Sequence, residues 1–307
     1  MWGFELLINT IIVTGAMGMI GRRLVPFLLS KGHNVVASDR TFDAGLQLPA
    51  SRIVIGDLND ADVCEAAITA TNGDKNGSKA IVHLAGTGSV TDAKSDPLAT
   101  INNNIVLIGK VLSAALKHNV RRFIFISSSL VYGRGGREPV EESVLPGPVS
   151  LYGATKLAAE SLVQGFAAEF NLSCEIARLS NVYGRDNPAN TVIGRILQQI
   201  RQKQKIEVLS REPVRDFIFI DDVVSAIYQL LTVTDQPGCI ISNISSGVGT
   251  SIGEVVDIAK SIAEMKPNPS KSYPSTDDSL VLSNKFMKQR TGWRPLVSIS
   301  DGFLKCL

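Results

Sequence analysis

Apolar positions along this chain fall into short β-branched runs separated by longer stretches with helical spacing. Ile11-Ile12-Val13 is one such run. A glycine-rich turn follows it, and then Leu24-Val25-Pro26-Phe27-Leu28-Leu29, an apolar-periodic segment ending near Gly32. The alternation recurs, with strands expected at 34–38, 52–56, 79–84, 123–126, 173–179 and 240–244, and a further short one at 206–209. Helices are expected at 60–71, from Asp96 to about His118, from Tyr152 to about Phe170, and at 191–203, 251–263 and 284–291. Residues 215–222 alternate and then enter a helix reaching about Leu231. Continuously apolar strands interleaved with helices predict an α/β chain with a doubly wound parallel sheet, covered on both faces. Residues 72–78 and the segment with Pro267, Pro269 and Pro274 read as loops.

Composition narrows the partners. The 307 residues carry a formal net charge of +2, with no basic stripe of the kind that marks nucleic-acid binding. Cys64, Cys174, Cys239 and Cys306 are scattered and form no C-x-x-C pair, which fits a reducing cytosol. His33, His83 and His118 are isolated, so no metal centre is expected. Residues 1–13 are apolar but lack a basic leading region and are shorter than the ~20 residues of a membrane span. They read as a short lead plus the first strand, because removal as a signal peptide would take part of the glycine motif with it.

That motif is Thr14-Gly15-Ala16-Met17-Gly18-Met19-Ile20-Gly21, between a strand and a helix. Gly15 suits a tight turn. Gly18 lets the main chain approach a pyrophosphate at a helix N-terminus, where free N–H groups and the dipole favour anions. Gly21 permits close packing of helix on strand. Asp39 closes the second strand 18 residues after Gly21, where a carboxylate takes the ribose 2′-hydroxyl of NAD and repels the 2′-phosphate of NADP. Arg40 beside it could accommodate that phosphate; NAD is favoured. The strands at 79–84 and 123–126 end in small or hydroxyl residues, which places them at the ligand-binding carboxyl edge of an open sheet.

A second constellation lies between Arg122 and Lys156. A buried strand ends in Ser127-Ser128-Ser129. After a loop with Pro139, Pro146 and Pro148, expected to wall a pocket, comes Tyr152-Gly-Ala-Thr-Lys156. On a helix, Tyr152 and Lys156 share one face a turn apart. An ammonium beside a phenol favours the phenolate and is expected to lower its pKa, giving an acid/base near neutral pH. Asn104, polar within an apolar helix, is either a packing residue or a hydrogen-bond partner of this apparatus. Arg215 is either a phosphate clamp or a surface ion pair with Asp216, Asp221 or Asp222.

Taken in order, these residues resemble a known family. The glycine motif, Asp39, Asp57-Leu58, His83-Leu-Ala-Gly86, Asn104, Ser127-Ser-Ser-Leu-Val-Tyr-Gly133, Tyr152-x-x-x-Lys156, Arg178-x-x-Asn-Val-Tyr-Gly184 and Arg215-Asp-Phe-Ile-Phe-Ile-Asp-Asp222 are similar to those of the extended short-chain dehydrogenase/reductases, the NAD-dependent nucleotide-sugar epimerase/dehydratase family. The resemblance implies a seven-stranded, mainly parallel Rossmann sheet over residues 1–180, with segments at about 215–245 returning to it. Residues 181–307 would mainly bind substrate. It implies Ser128, with Ser129 as runner-up, together with Tyr152 and Lys156 as the catalytic trio. Gly15, Gly18, Met19, Ile20, Gly21, Asp39, Arg40, Asp57, Leu58, Leu84, Ala85, Gly86, Asn104, Tyr152, Lys156 and Ser180 would hold NAD. Ser128, Asn181 and Arg215 would hold a nucleotide sugar.

The resemblance also implies a first step, oxidation of a sugar hydroxyl. Family dehydratases carry Thr-Asp-Glu where this chain has Ser128-Ser129-Leu130, which cannot supply the acids for elimination. A 3,5-epimerase/reductase would need another acid/base pair, such as Cys and His, and Cys174 and His118 cannot be placed from sequence. The expectation is therefore a UDP-sugar 4-epimerase for glucose/galactose or their N-acetyl forms. A nucleotide-sugar dehydrogenase or 4-ketoreductase with the same trio, and a non-catalytic dinucleotide sensor, are the alternatives. Family analogy adds a cytoplasmic homodimer, built on the helices after Asp96 and Tyr152 through positions such as Val106, Leu107, Leu116, Leu162 and Phe166.

Overall fold

Every strand of the main sheet runs the same way, and helices cross its faces. The computed structural model describes residues 8–43, 48–70, 78–134, 138–233, 236–265 and 279–307. The expected loops at 72–78 and around Pro267 to Pro274 fall largely outside these. Strands β1 (Ile8–Thr14), β2 (Asn34–Asp39), β3 (Arg52–Ile55), β4 (Ser78–His83), β5 (Arg122–Ser128) and β6 (Ser173–Leu179) are followed by β7 (Asn181–Tyr183), β8 (Val214–Phe219), β9 (Gly238–Ile244), β10 (Gly249–Ser251) and β11 (Ser279–Leu280). Seven of them form one parallel sheet in the order β3-β2-β1-β4-β5-β6-β9. Helices join β1 to β2, β3 to β4, β4 to β5 and β5 to β6. The chain reverses its direction of travel across the sheet between β1 and β4. Ligands bind at such a switch point, outside the carboxyl ends of the strands.

The helices are α1 (Met19–Ser30), α2 (Ala61–Thr69), α3 (Val90–Ser95), α4 (Pro97–Ile101), α5 (Leu107–Lys117), α6 (Leu151–Phe170), α7 (Val192–Arg201), α8 (Ile220–Thr232), α9 (Ile252–Ile262), α10 (Lys285–Thr291) and α11 (Ile299–Cys306). The period-2 alternation of the strands splits the core in two. Ile11, Val13, Val82 and Ile124 face α1, α8 and α10, whereas Ile12, Ile81, Phe123 and Phe125 face α2, α5 and α6. Each such side chain removed from water contributes roughly 2 kcal/mol. Helices α4 and α5 are continuous through a π-helical turn at Asn102–Val106. This helix is long and apolar enough to cross a bilayer by length and composition, but Leu107, Ile108, Val111, Leu112 and Ala115 are buried against the sheet.

A smaller sheet gathers β7, β10 and β11 around β8. It shares a third apolar core with α7, α9 and α11, built from Tyr183, Ile196, Phe217, Phe219, Val255 and Phe303. The expected strand at 206–209 does not form. The Gln199 side chain occupies the main chain of Glu207 instead, accepting from its N–H at 3.1 Å and donating to its carbonyl at 3.3 Å.

Candidate active site

The dinucleotide half of the site is the β1–α1 turn. Gly15 adopts φ +67°, and a Cβ there would lie 2.7 Å from the main-chain nitrogen of Ala85 and 2.9 Å from the carbonyl carbon of Leu84. At Gly21 a Cβ would meet Ala16 at 2.6 Å. The turn therefore presses against the β4 exit and its own first strand. Helix α1 starts at Met19 with no side-chain cap on its first turn, so those N–H groups face the cleft mouth, as an anion-binding terminus requires. Asp39 accepts from the Met17 N–H at 2.8 Å and from the Arg40 N–H at 2.7 Å, which fixes its carboxylate at the end of β2. Arg40 is exposed. This cradle fits a dinucleotide, whose ribose Asp39 would take.

The chemical half is built where β5 meets α6. Ser150 caps α6 by accepting from the Gly153 N–H at 3.1 Å, which sets Tyr152 and Lys156 on the face toward the strand. Lys156 Nζ donates to the Ile126 carbonyl at 3.0 Å and lies 5.0 Å from the Phe125 ring centre. Ser128 ends β5 beside Tyr152, and its Oγ accepts from the Leu130 N–H at 3.2 Å. Ser129, the runner-up, is buried. The expectation that Lys156 lowers the Tyr152 pKa is not met by the chain alone. Burial pushes the phenol up to about 12, and the neighbouring Ser128 hydroxyl is the opposing influence. The ammonium is spent on the strand carbonyl. Burial in turn pushes Lys156 down to about 8, with Glu160 acting the other way.

Behind the trio stands a buried polar support. Asn104, in the π-helical turn, accepts from the Thr87 N–H at 2.8 Å and donates to the Thr87 carbonyl at 3.4 Å and to Thr155 Oγ1 at 3.0 Å. It lies outside the cleft and ties the β4 exit loop to the residue before Lys156. Asn104 thus hydrogen-bonds beside the catalytic residues, and its Oδ1 lies against Gly86 of the cleft lining; a π-helical turn at such a place is a common device. His83 is buried and bonded through Nδ1 to Thr14 Oγ1 at 2.9 Å. Burial, reinforced by Lys156, pushes its pKa down to about 3, so it is neutral.

The substrate half comes from the smaller sheet. A cleft of about 830 Å³ is lined by Gly15, Gly18, Met19, Ile20 and Gly21, by Leu84 and Gly86, by Ser128, Tyr152 and Lys156, and by Ser180, Asn181 and Arg215. Asn181 donates to the Asp216 carbonyl at 3.2 Å. Arg215 Nη1 donates to the Val214 carbonyl at 2.9 Å, and the acids named beside it also make other bonds. Asp221 pairs with Arg23 at 2.7 Å, Asp222 accepts from the N–H groups of Leu296 and Val297, and Asp216 accepts from Ser180, Ser246 and Gly247.

The chain matches the NAD dependent epimerase/dehydratase family over residues 11–244, most of its length. The chain belongs to that family. Among its relatives, a UDP-glucose 4-epimerase of Corynebacterium glutamicum is 28% identical, with 93% of this chain and 90% of the relative covered. The UDP-glucose 4-epimerase of Thermotoga maritima, solved with UDP-glucose, superposes with a TM-score of 0.85 at 25% identity, over 97% of this chain and 96% of that one. The UDP-glucuronic acid 4-epimerase of Bacillus cereus, solved with UDP-glucuronic acid and NAD, gives 0.84 at 26%, over 96% and 97%. The chain is thus an NAD-dependent enzyme of the nucleotide-sugar epimerase/dehydratase type.

Asp57 and Leu58 lie outside the cleft lining: Asp57 is exposed and bonds Asn59, and Leu58 gives its side chain to the core under α2. Ala85 is held by its N–H to Thr14 Oγ1 at 3.3 Å. The loop expected to wall the pocket does not line it among its described residues, 138–150. Glu138 instead accepts from the Val281 N–H at 2.9 Å, Val140 pairs with the chain at 281–283, and Glu142 accepts from the Asn243 N–H at 2.8 Å. The wall comes from Thr87–Thr91 and from the chain at Asn187, Pro188, Asn190 and Thr191, both expected as pocket loops, and also from two unforeseen places: the first turns of α7 with Val192, Ile193 and Arg195, and the irregular chain at Val208, Leu209 and Ser210. One signal for α7 was available, since Thr191 is a good N-cap and sets Arg195 one turn in.

Proposed function

We propose that this family member is a UDP-hexose 4-epimerase for glucose/galactose or their N-acetyl forms. The observation that carries the reading is the end of β5. Positions 129 and 130, where elimination would need acids, hold a buried serine hydroxyl and a leucine. Among the described residues lining the cleft, the carboxylate is that of Asp92, which accepts from the Ser89 hydroxyl at 2.6 Å in the cap of α3. Cys174 sits near the opposite end of β6, inside the sheet core, and His118 follows α5 against Glu65. Neither serves the cleft. The inventory thus supports proton exchange at one sugar hydroxyl and no further acid/base step. The 4-epimerase relatives support the same substrate class.

In this reading the Tyr152 phenolate removes the proton from the C4 hydroxyl. Ser128 donates to the C4 oxygen as it becomes a carbonyl, and Lys156 steadies the developing charge from beneath. NAD, bound in the β1–α1 cradle, would supply the hydride acceptor and a cationic charge. Asn181 and Arg215 hold the diphosphate, so residues 181–307, apart from β9 and the helices α8 and α10 that return to the main sheet, serve mainly to bind substrate. Four unpaired cysteines support a cytoplasmic setting. Exposed Leu98, Val106 and Phe170 on the helices after Asp96 and Tyr152 support a homodimer, although Leu107 is given to the monomer core. Incubation with UDP-, dTDP-, GDP- and CDP-sugars, read by NMR, should yield a C4-inverted UDP-sugar. Absence of any C4 inversion overturns the reading.

A further inference from the structure

A row of buried polar side chains crosses three strands directly under the catalytic residues. Ser127, Arg178 and Asn243 are register partners on β5, β6 and β9. Glu160, one turn beyond Lys156 on α6, lies over the row and is fully buried. Its carboxylate accepts from Ser127 Oγ at 2.5 Å, from Arg178 Nε at 3.0 Å and from Arg178 Nη2 at 2.6 Å. The Arg178 guanidinium stacks 4.7 Å from the Tyr132 ring centre, and Tyr132 donates to Asn243 Oδ1 at 2.8 Å. A buried ion pair is a poor way to gain stability, since well-packed apolar residues do as well or better. Its position suggests another use. Three residues of α6, each four apart, meet the last three residues of β5: Tyr152 faces Ser128, Lys156 donates to the Ile126 carbonyl, and Glu160 accepts from Ser127.

We propose that Glu160, braced by Arg178, is a positioning residue that locks the end of β5 in register with α6 and supplies the fixed negative charge beneath the Lys156 ammonium. The ionisable groups around Lys156 are Tyr152 and Glu160 on its own helix, His83 from β4, and Arg178 from β6 behind Glu160. His83 is neutral, so Glu160 is the anion that favours the charged lysine, consistent with its upward influence on a group otherwise pushed down to about 8.

The test reads the lysine and the turnover separately. In protein labelled with [13Cε]lysine, the Lys156 signal, assigned by its loss in Lys156→Met, should titrate near 8 in the wild type. It should fall by about one pH unit in Glu160→Gln, and the alkaline limb of kcat should fall with it. Ser127→Ala keeps the ion pair, and should lower kcat by roughly tenfold with KM and the Lys156 midpoint unmoved. If Glu160→Gln does not fold, Glu160→Gln with Arg178→Met leaves no unpaired charge and should still lower the midpoint. An unmoved midpoint in the folded variant, or full kcat in Ser127→Ala, overturns the proposal. The kcat readouts rest on the epimerase reading. The lysine titration uses the protein alone, so failure of one is distinguishable from failure of the other.

Discussion

Lys156 donates its ammonium proton to the carbonyl oxygen of Ile126 at 3.0 Å, two residues before Ser128. The bond fixes the lysine against the strand rather than against the phenol, and it keeps a charge in the core. Burial pushes the Lys156 pKa down to about 8, from 10.5 for an unperturbed lysine. The unfolded chain therefore binds more protons between those values, and stability rises with pH across that window. Below about 8 the destabilisation is fully present; above 10.5 it is gone. Wild-type stability should therefore gain on the order of 3 kcal/mol relative to Lys156→Met between pH 8 and pH 10.5. Denaturant unfolding at a series of pH values checks this, and parallel curves for the two proteins would refute it.

Tyr152 needs help that its own chain does not give. With the phenol pushed up to about 12, protein stripped of NAD should show no ionisation of Tyr152 near neutral pH. This is read as the phenolate absorbance difference between the wild type and Tyr152→Phe. Adding NAD should bring the midpoint down, because a cation placed beside a phenol favours its charged form. The same Tyr152→Phe protein should keep its affinity for NAD and lose turnover by about 10³-fold. A variant that still turns over at a tenth of the wild-type rate would remove Tyr152 from the chemistry.

The parallel sheet was legible because its strands are buried on both faces and so read as unbroken apolar runs, as Ile11-Ile12-Val13 and Phe123-Ile-Phe-Ile126 do. The glycine turn, Asp39 and the Tyr152/Lys156 spacing were legible because each is a local pattern with a local cause. What stayed hidden depends on distance across the fold. The phenol pKa depends on where the Lys156 ammonium points, which Ile126 decides. The strand at 206–209 failed because Gln199, eight residues before Glu207, satisfied it from its side chain. The loop at 138–150 was drawn away from the cleft by partners at Asn243 and Val281, over a hundred residues on.

Asp39 should decide between the two dinucleotides. Its carboxylate is held by the Met17 and Arg40 N–H groups at 2.8 and 2.7 Å, which leaves its remaining acceptor capacity for a ribose diol and its charge to repel a phosphate. Asp39→Asn should weaken NAD binding by about tenfold, the scale of one lost charge-assisted hydrogen bond, and should admit NADP with Arg40 nearby. Calorimetric titration with each dinucleotide measures both effects. Unchanged preference for NAD over NADP would mean that Asp39 does not face the ribose.

Gly15 and Gly18 should fail in different ways when replaced by alanine. At position 15 the new Cβ meets main chain, 2.7 Å from Ala85 nitrogen and 2.9 Å from the Leu84 carbonyl carbon, at φ +67°. Neither neighbour is a side chain that can swing aside, so β4 or the turn must shift. The combined left-handed backbone and overpacking should cost roughly 3 kcal/mol, lowering Tm by several degrees with or without ligand. At position 18 the backbone is ordinary, with φ −68°, and the nearest atom to a Cβ is the Gly15 carbonyl oxygen at 3.1 Å. Gly18→Ala should therefore melt close to wild type in the absence of NAD. Its methyl group, placed where the first turn of α1 presents its free N–H groups, should instead reduce the gain in Tm that NAD confers. A scan of both variants with and without NAD separates the outcomes: a shared loss of apo stability would show that Gly18 is needed for packing, and only an apo-stable Gly18→Ala with a diminished NAD response fits a main chain that approaches the pyrophosphate.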